Sequence, residues 1–247
     1  MTRSDSRQVA FARTLRALAF LLGYPDAAWR TELEEVGDAL REAGALDPAR
    51  LSQIDALLET IRTAEDLGAE AAYVELFDRG RGTALHLFEH VHGDSRERGP
   101  AMLDLIATYE QAGLALRSDE LPDHLTVLLE YASTQPREAA VALLGEVAHI
   151  LRRIHGAIDK RGSAYVAVLG ALLDLAGAGV EAGAGSPEPE PEPEPDLDEA
   201  WQEPAAFDGC GNAGQQGAGQ SHTIHVVRRA PAAGAPAGPS ASQGARP

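Results

Sequence analysis

Residues 1–177 of this 247-residue chain read as one all-α domain, a single helical bundle of seven to nine helices. Residues 178–247 read as a disordered, acidic, Pro/Gly-rich tail. Three observations lead there. Up to about residue 175, apolar residues recur at intervals of three and four, the period of an amphipathic helix. No run of β-branched residues alternates with polar ones between hairpin turns in that part. Composition then changes abruptly: ten of the fifteen prolines lie beyond Val180, where helix interiors are ruled out by the missing N–H and the ring clash.

The elements follow in order. Phe11, Leu15, Leu18 and Leu22 form a 4, 3, 4 stripe, so the Arg-rich N-terminus reads as a first core helix and not as a secretory signal. Trp29, Leu33, Val36 and Leu40 repeat that spacing, and Gly44 stands where a helix C-cap glycine belongs. Asp47-Pro48 supplies an N-cap and an N1 proline ahead of Leu51, Ile54, Leu58 and Ile61. Leu67, Ala71 and Val74 start a helix that runs into Phe77, and Gly99-Pro100 opens one carrying Met102, Ile106 and Tyr109. Pro122-Asp123 opens the next, with Leu125, Leu128, Leu129 and Ala132, its proline and aspartate suiting a first turn and the helix dipole. The long helix after Pro136 has two apolar stripes, Val141, Leu144, Ala148, Leu151 and Leu143, Val147, Ile150, Ile154, Ile158, which places it in the middle of the bundle. Ser163 to Leu175 supplies the last helix.

In the tail, residues 186–196 alternate Pro and Glu, a solvated polyproline-like spacer that reaches roughly 30 Å at ~3.1 Å per residue. Residues 196–229, with Trp201, Phe207 and Cys210, are consistent with a docking segment or a lone strand, and linker is the plainer reading. If Trp201 and Phe207 fold back, they could occupy an apolar groove of the bundle.

A formal charge of −17 argues against a nucleic-acid surface and suits a cationic partner. One cysteine excludes an internal disulfide framework and fits a reducing compartment. The longest apolar runs, such as Ala164 to Leu173, fall short of the ~20 residues of a spanning helix. The expectation is a soluble intracellular protein.

Tyr73 to Pro100 concentrates three of the eight histidines, four arginines, five acidic residues and four glycines. His86 and His90 would share a helix face with Glu89 and His92 nearby, but a two-histidine zinc helix needs Glu directly after the first His, and Leu87 stands there. Satisfied structural histidines are the plainer reading. Asp78-Arg79-Gly80-Arg81-Gly82 suits a solvated turn with local ion pairs better than a phosphate cradle. Cys210 lacks a rigid scaffold that would orient a base. Lys160 is the only lysine, so there is no Walker-type loop. A second dense spot, Ser118 to His124, leaves Glu120 and His124 without a structural explanation.

These two segments carry a resemblance. Glu75-Leu76-Phe77-Asp78-Arg79-Gly80-Arg81 and Leu85-His86-Leu87-Phe88-Glu89-His90-Val91-His92-Gly93-Asp94-Ser95-Arg96 resemble the signature of the NarJ-type chaperones, the maturation factors of respiratory nitrate reductase. Glu120-Leu121-Pro122-Asp123-His124 is similar to the Glu-x-Pro-Asp-His loop of the wider TorD-like family, and Leu21-Leu22-Gly23-Tyr24-Pro25 and Asp198-Glu199-Ala200-Trp201 also look like NarJ-type chains.

The resemblance implies a non-catalytic, all-α cytoplasmic chaperone with no cofactor of its own. Its partner would be the N-terminal segment of the apo catalytic subunit of nitrate reductase. It would keep that subunit competent for molybdenum cofactor insertion, delay its docking on the membrane anchor and be absent from the mature enzyme. Residues implied in client-peptide binding are Tyr73, Glu75, Asp78, Arg79, His86, Glu89, His90, Glu120, Pro122, Asp123 and His124. For each, pinning the two loops together is an equal alternative, with Arg79, Arg81 and Arg96 as partners for Asp78, Glu89 or Asp94. The rival readings are a chaperone for a different molybdoenzyme and a metal- or nucleotide-dependent enzyme built on residues 86–92.

Overall fold

The first apolar stripe forms α1 (Arg3–Leu21), whose Leu15, Leu18 and Leu21 are completely buried along with Leu22 just past its end. Asp26 caps a single turn, α2 (Ala27–Arg30), by accepting the Trp29 N–H at 2.8 Å. Then come α3 (Leu33–Ala43), closed by Gly44 at φ 60°, and α4 (Pro48–Arg62), with the Asp47 side chain accepting the Arg50 N–H at 2.9 Å. The Asp47 cap and the C-terminal Gly44 stand where the sequence places them, and the Asp26 cap is an addition. The chain continues through α5 (Gly68–Tyr73), a π turn (Val74–Asp78), two 3-10 turns (Arg81–Thr83 and Leu87–Glu89), and α6 (Arg98–Gln111). The remaining helices are α7 (Leu125–Thr134), α8 (Arg137–Glu146), α9 (Ala148–Lys160) and α10 (Val166–Leu175).

The computed structural model describes residues 3–65, 67–93, 95–117 and 120–179, all inside one unit spanning 1–187. The Pro-Glu spacer, the 196–229 island with Trp201 and Phe207, and Cys210 lie outside the described residues. Ten α-helices occur among the described residues, one more than the expected upper bound. The excess has a local cause. The long helix expected after Pro136 breaks at Val147, whose ψ of 2° leaves the helical range, and each of the two apolar stripes is divided between the two resulting helices.

The central position expected for that helix is taken by α10, where Ala167 to Leu173 are buried without interruption. It packs against α9, α4, α8 and α1, while α1 lies along α7 and α3. Gly170 gives the Arg50 side chain room to lie against α10 and pair with Asp174 at 2.8 Å. No helix among the described residues is long and apolar enough to cross a membrane.

Candidate functional site

The two motif-bearing segments meet. Leu125 N–H donates to Leu85 O at 2.9 Å and Leu87 N–H donates to Asp123 O at 3.0 Å, an isolated antiparallel bridge centred on His86 and His124. Asp123 is not the first-turn residue the sequence suggests, because α7 begins two positions later and the Asp123 side chain, 0% exposed, turns into the joint. Its Oδ2 accepts the Phe88 N–H at 3.1 Å, with Arg98 Nη2 at 3.8 Å. Its Oδ1 faces His86 Nδ1 at 3.5 Å, the outer limit for such a pair, and neither atom has another hydrogen-bond partner.

The electrostatics follow from this packing. Burial pushes the Asp123 carboxyl up, but His86, the Phe88 N–H and Arg98 together outweigh it and hold the group below its usual range. His86 is raised by Asp123, against the opposing effect of burial. His124 packs edge-on to the His86 ring at 4.9 Å, and burial with the neighbouring His86 pushes it down to about 4, so it is neutral at pH 7. The His124 Nδ1 contacts Thr126 Oγ1 at 2.6 Å. His90 directs Nε2 at Ala84 O, 2.9 Å away, which fixes the proton on that nitrogen, and burial lowers its pKa. The His90 carbonyl accepts from Arg153 at 3.1 Å, and Glu89 lies 3.7 Å from Arg98. Buried Pro122 accepts the Tyr109 hydroxyl at 2.8 Å, tying α6 to the same loop.

The other sequence candidates sit on the π turn. Tyr73 is core: its hydroxyl donates to Leu22 O at 2.7 Å and its ring packs on Phe77, Tyr24 and Tyr165. Glu75 and Asp78 are exposed, and Arg79 pairs with Glu75 at 3.1 Å. Among the described residues, Glu89 is matched by Arg98, an arginine the sequence did not single out. Asp78 and Arg79 share a hollow of about 270 Å³ with His86 and Glu89. A Cβ at Gly80 would come within 2.6 Å of the Arg161 guanidinium, which donates to Glu75 O at 3.1 Å, so the glycine leaves that side chain its place. Among the described residues, no group of three or more His, Cys, Asp or Glu side chains is placed to hold a metal ion.

A cleft of about 680 Å³ opens between α1, α7 and the 112–120 connection. Its walls are Phe20 and Trp29, stacked at 5.0 Å, with Leu114, Leu116 and Tyr131. Glu120 and Glu130 stand in it, and Glu130 is raised first by burial and then by the Glu120 carboxylate. A smaller hollow of about 260 Å³, sharing Arg16 and Phe20, extends along α1 past Glu32 and Glu35 on the α3 side. Of the sequence candidates only Glu120 lines the large cleft. Its aromatic residues, Phe20, Trp29, Tyr109 and Tyr131, come from four separate elements, so no local spacing announced it.

The model of the family described as "Nitrate reductase delta subunit" matches residues 27–170. "Nitrate reductase molybdenum cofactor assembly chaperone NarJ" of Escherichia coli K12 is 40% identical over 201 residues, 78% of this chain and 85% of that protein. "Probable nitrate reductase molybdenum cofactor assembly chaperone NarW" of the same strain is 37% identical, over 76% of this chain and 80% of its own. "Probable nitrate reductase molybdenum cofactor assembly chaperone NarJ" of Bacillus subtilis 168 is 34% identical, over 69% and 89%. With a helical joint built from both motif segments and likeness over most of its length, the chain belongs to the nitrate reductase delta subunit family, that of the NarJ-type assembly chaperones.

Proposed function

We propose that the protein binds the N-terminal segment of the apo catalytic subunit of a respiratory nitrate reductase in the cytoplasm. It keeps that subunit open to molybdenum cofactor insertion and leaves before the enzyme is complete. The observation that carries this reading is the aromatic cleft with Glu120 and Glu130 in it. An amphipathic helix lays its apolar face into such a trough, and Glu130, whose proton affinity is raised by burial and by the Glu120 carboxylate, gains from an arriving cation. A net charge of −17 speeds the encounter with a basic segment and makes it salt-dependent. In this reading Glu120 contacts the client. His86, Pro122, Asp123 and His124 act mainly by holding the 120–124 loop that borders the cleft, while Tyr73, Glu75, Asp78, Arg79, Glu89 and His90 lie away from it.

Calorimetric titration with a peptide copying the first ~30 residues of the host's catalytic subunit, beside a scrambled peptide of equal charge, tests the proposal. Saturable binding of the native order alone, weakened by Glu120→Gln with Glu130→Gln, supports it. Equal binding of both peptides reduces it to non-specific electrostatics. Preference for the corresponding segment of another molybdoenzyme transfers the role to that client.

A further inference from the structure

Glu70, in the first turn of α5, is a buried carboxylate with one oxygen unused. Its side chain is only 8% exposed; Oε1 accepts from Arg30 Nη2 at 3.2 Å, and Oε2 is covered and accepts nothing. Leaving a buried acceptor unpaired is costly, and natural chains keep few such atoms. Glu70 borders a hollow of about 380 Å³ with Tyr24, Leu67 and Val74 as apolar walls, lined also by the paired Glu75 and Arg79. Two of those walls are large apolar side chains left in water, Leu67 at 70% exposure and Tyr24 at 49%.

Apolar walls, an aromatic ring and a spare carboxylate oxygen together fit one chemistry, a cationic side chain on an aliphatic stem. An anion would meet Glu70 and Glu75, and a purely apolar group would leave Oε2 unpaired. Arginine suits the hollow better than lysine, because a planar guanidinium can lie against Tyr24 while one N–H reaches the carboxylate. A small rotation of the carboxylate presents Oε2 to the hollow while Arg30 keeps Oε1. The Glu75–Arg79 pair at the edge is exposed and holds little energy, so Glu75 is free to turn toward the newcomer.

We propose that this hollow is a specificity subsite that takes one arginine side chain of the client segment, with Glu70 as its acceptor. The proposal rests on the client-binding reading above and places a second contact away from the large cleft.

The test combines two measurements. The ~30-residue client peptide, and versions with each arginine replaced in turn by neutral citrulline, are titrated into the wild type, Glu70→Gln and Leu67→Lys. Leu67 is mostly exposed, so Leu67→Lys leaves the fold intact and fills the hollow with its own cation. Expected is a loss of about 5- to 10-fold in affinity for both variants, the scale of one hydrogen bond to a charged group at a part-exposed site. For one citrulline peptide the Glu70→Gln penalty should vanish. Equal affinities across the variants, or the same penalty for every peptide, would overturn the subsite. The second measurement needs no client: backbone amide shifts at Leu67 to Glu75 are followed with N-acetyl-arginine amide and with its citrulline analogue. Shifts with arginine alone, abolished in Glu70→Gln, support the subsite, and their absence overturns it. If the peptide fails to bind the wild type while the arginine amide still binds, the client reading falls and the cation site stands.

Discussion

Replacing Asp123 with alanine should unbalance the joint on both sides. The substitution leaves the Phe88 N–H without its 3.1 Å acceptor and removes the counter-charge of His86 and Arg98 from a site with no solvent access. A lost hydrogen bond to a charged acceptor costs about 1.5–3 kcal/mol. Breaking a fully buried ion pair costs about 3–5 kcal/mol, but His86 and Arg98 are part-exposed, at 31% and 27%, and stand at 3.5 and 3.8 Å, so the pair contributes less than that. We expect a loss of about 2–4 kcal/mol, which for a domain of this size lowers the melting temperature by very roughly 5–15 °C. Asp123→Asn keeps an acceptor for Phe88 and should cost about half as much.

The sign with pH is defined. His86 is raised in the folded state, so its contribution is complete below the unfolded value of 6.5 and is lost as pH rises through the folded value. Asp123 is lowered, so its contribution is complete above the unfolded value of 3.8 and is lost as pH falls through the folded value. Urea unfolding of wild type and Asp123→Ala should therefore differ most between those two unfolded values. The gap narrows as pH falls through the folded Asp123 value and as it rises through the folded His86 value, with the Phe88 and Arg98 share remaining at alkaline pH. A difference under about 0.5 kcal/mol, or one that is flat from pH 5 to 9, would refute the argument that the joint is held by this carboxylate.

His124 is predicted to act in the opposite direction. Its folded value of about 4 lies below the unfolded 6.5, so it destabilises the protein as pH falls between them, by up to about 3 kcal/mol; His124→Asn should flatten acid unfolding curves in that window. Gly80→Ala should cost no more than about 1 kcal/mol, because the flexible Arg161 guanidinium can swing aside at the loss of its bond to Glu75 O, and the cost should shrink in an Arg161→Ala background. Tyr109→Phe should lose about 1 kcal/mol in thermal unfolding through its bond to Pro122 O. Client-peptide affinity should fall with added salt, and a salt-independent value would remove the electrostatic part of the proposed recognition.

What could be read beforehand was local chemistry with a fixed period or cap. The stripes of α1, α3 and α4, the cap Asp47 and the terminal Gly44 each depend on residues within one turn of each other. Asp123 shows where that reasoning stops. As an aspartate beside a proline ahead of an apolar run it satisfies the rules for a first turn, yet its partners Phe88, His86 and Arg98 are 25 to 37 positions away in sequence, beyond the reach of any local rule. Likewise, the break at Val147 was hidden because two helices joined end to end keep a helical period across the junction. The large cleft was invisible for a third reason. Phe20, Trp29 and Tyr131 each look like an ordinary core position, and only the packing of α1 on α7 leaves them facing a common space.

The joint and the cleft are mechanically one object. Asp123 is anchored to Phe88, Pro122 to Tyr109, and Glu120, which stands in the cleft, is only two residues before Pro122. The position of that cleft wall is therefore set by buried bonds, among whose side chains only Tyr109 also lines the cleft. This explains how a densely charged segment can matter to recognition while none of its side chains lines the cleft. It also separates two kinds of variant. Substitutions at Glu120 or Glu130 should change client affinity and leave melting unchanged. Substitutions at His86, Asp123 or His124 should change both, with the affinity loss following the loss of stability. An Asp123→Asn protein that melts lower but binds the client at wild-type strength would break this coupling and leave the joint a purely structural feature.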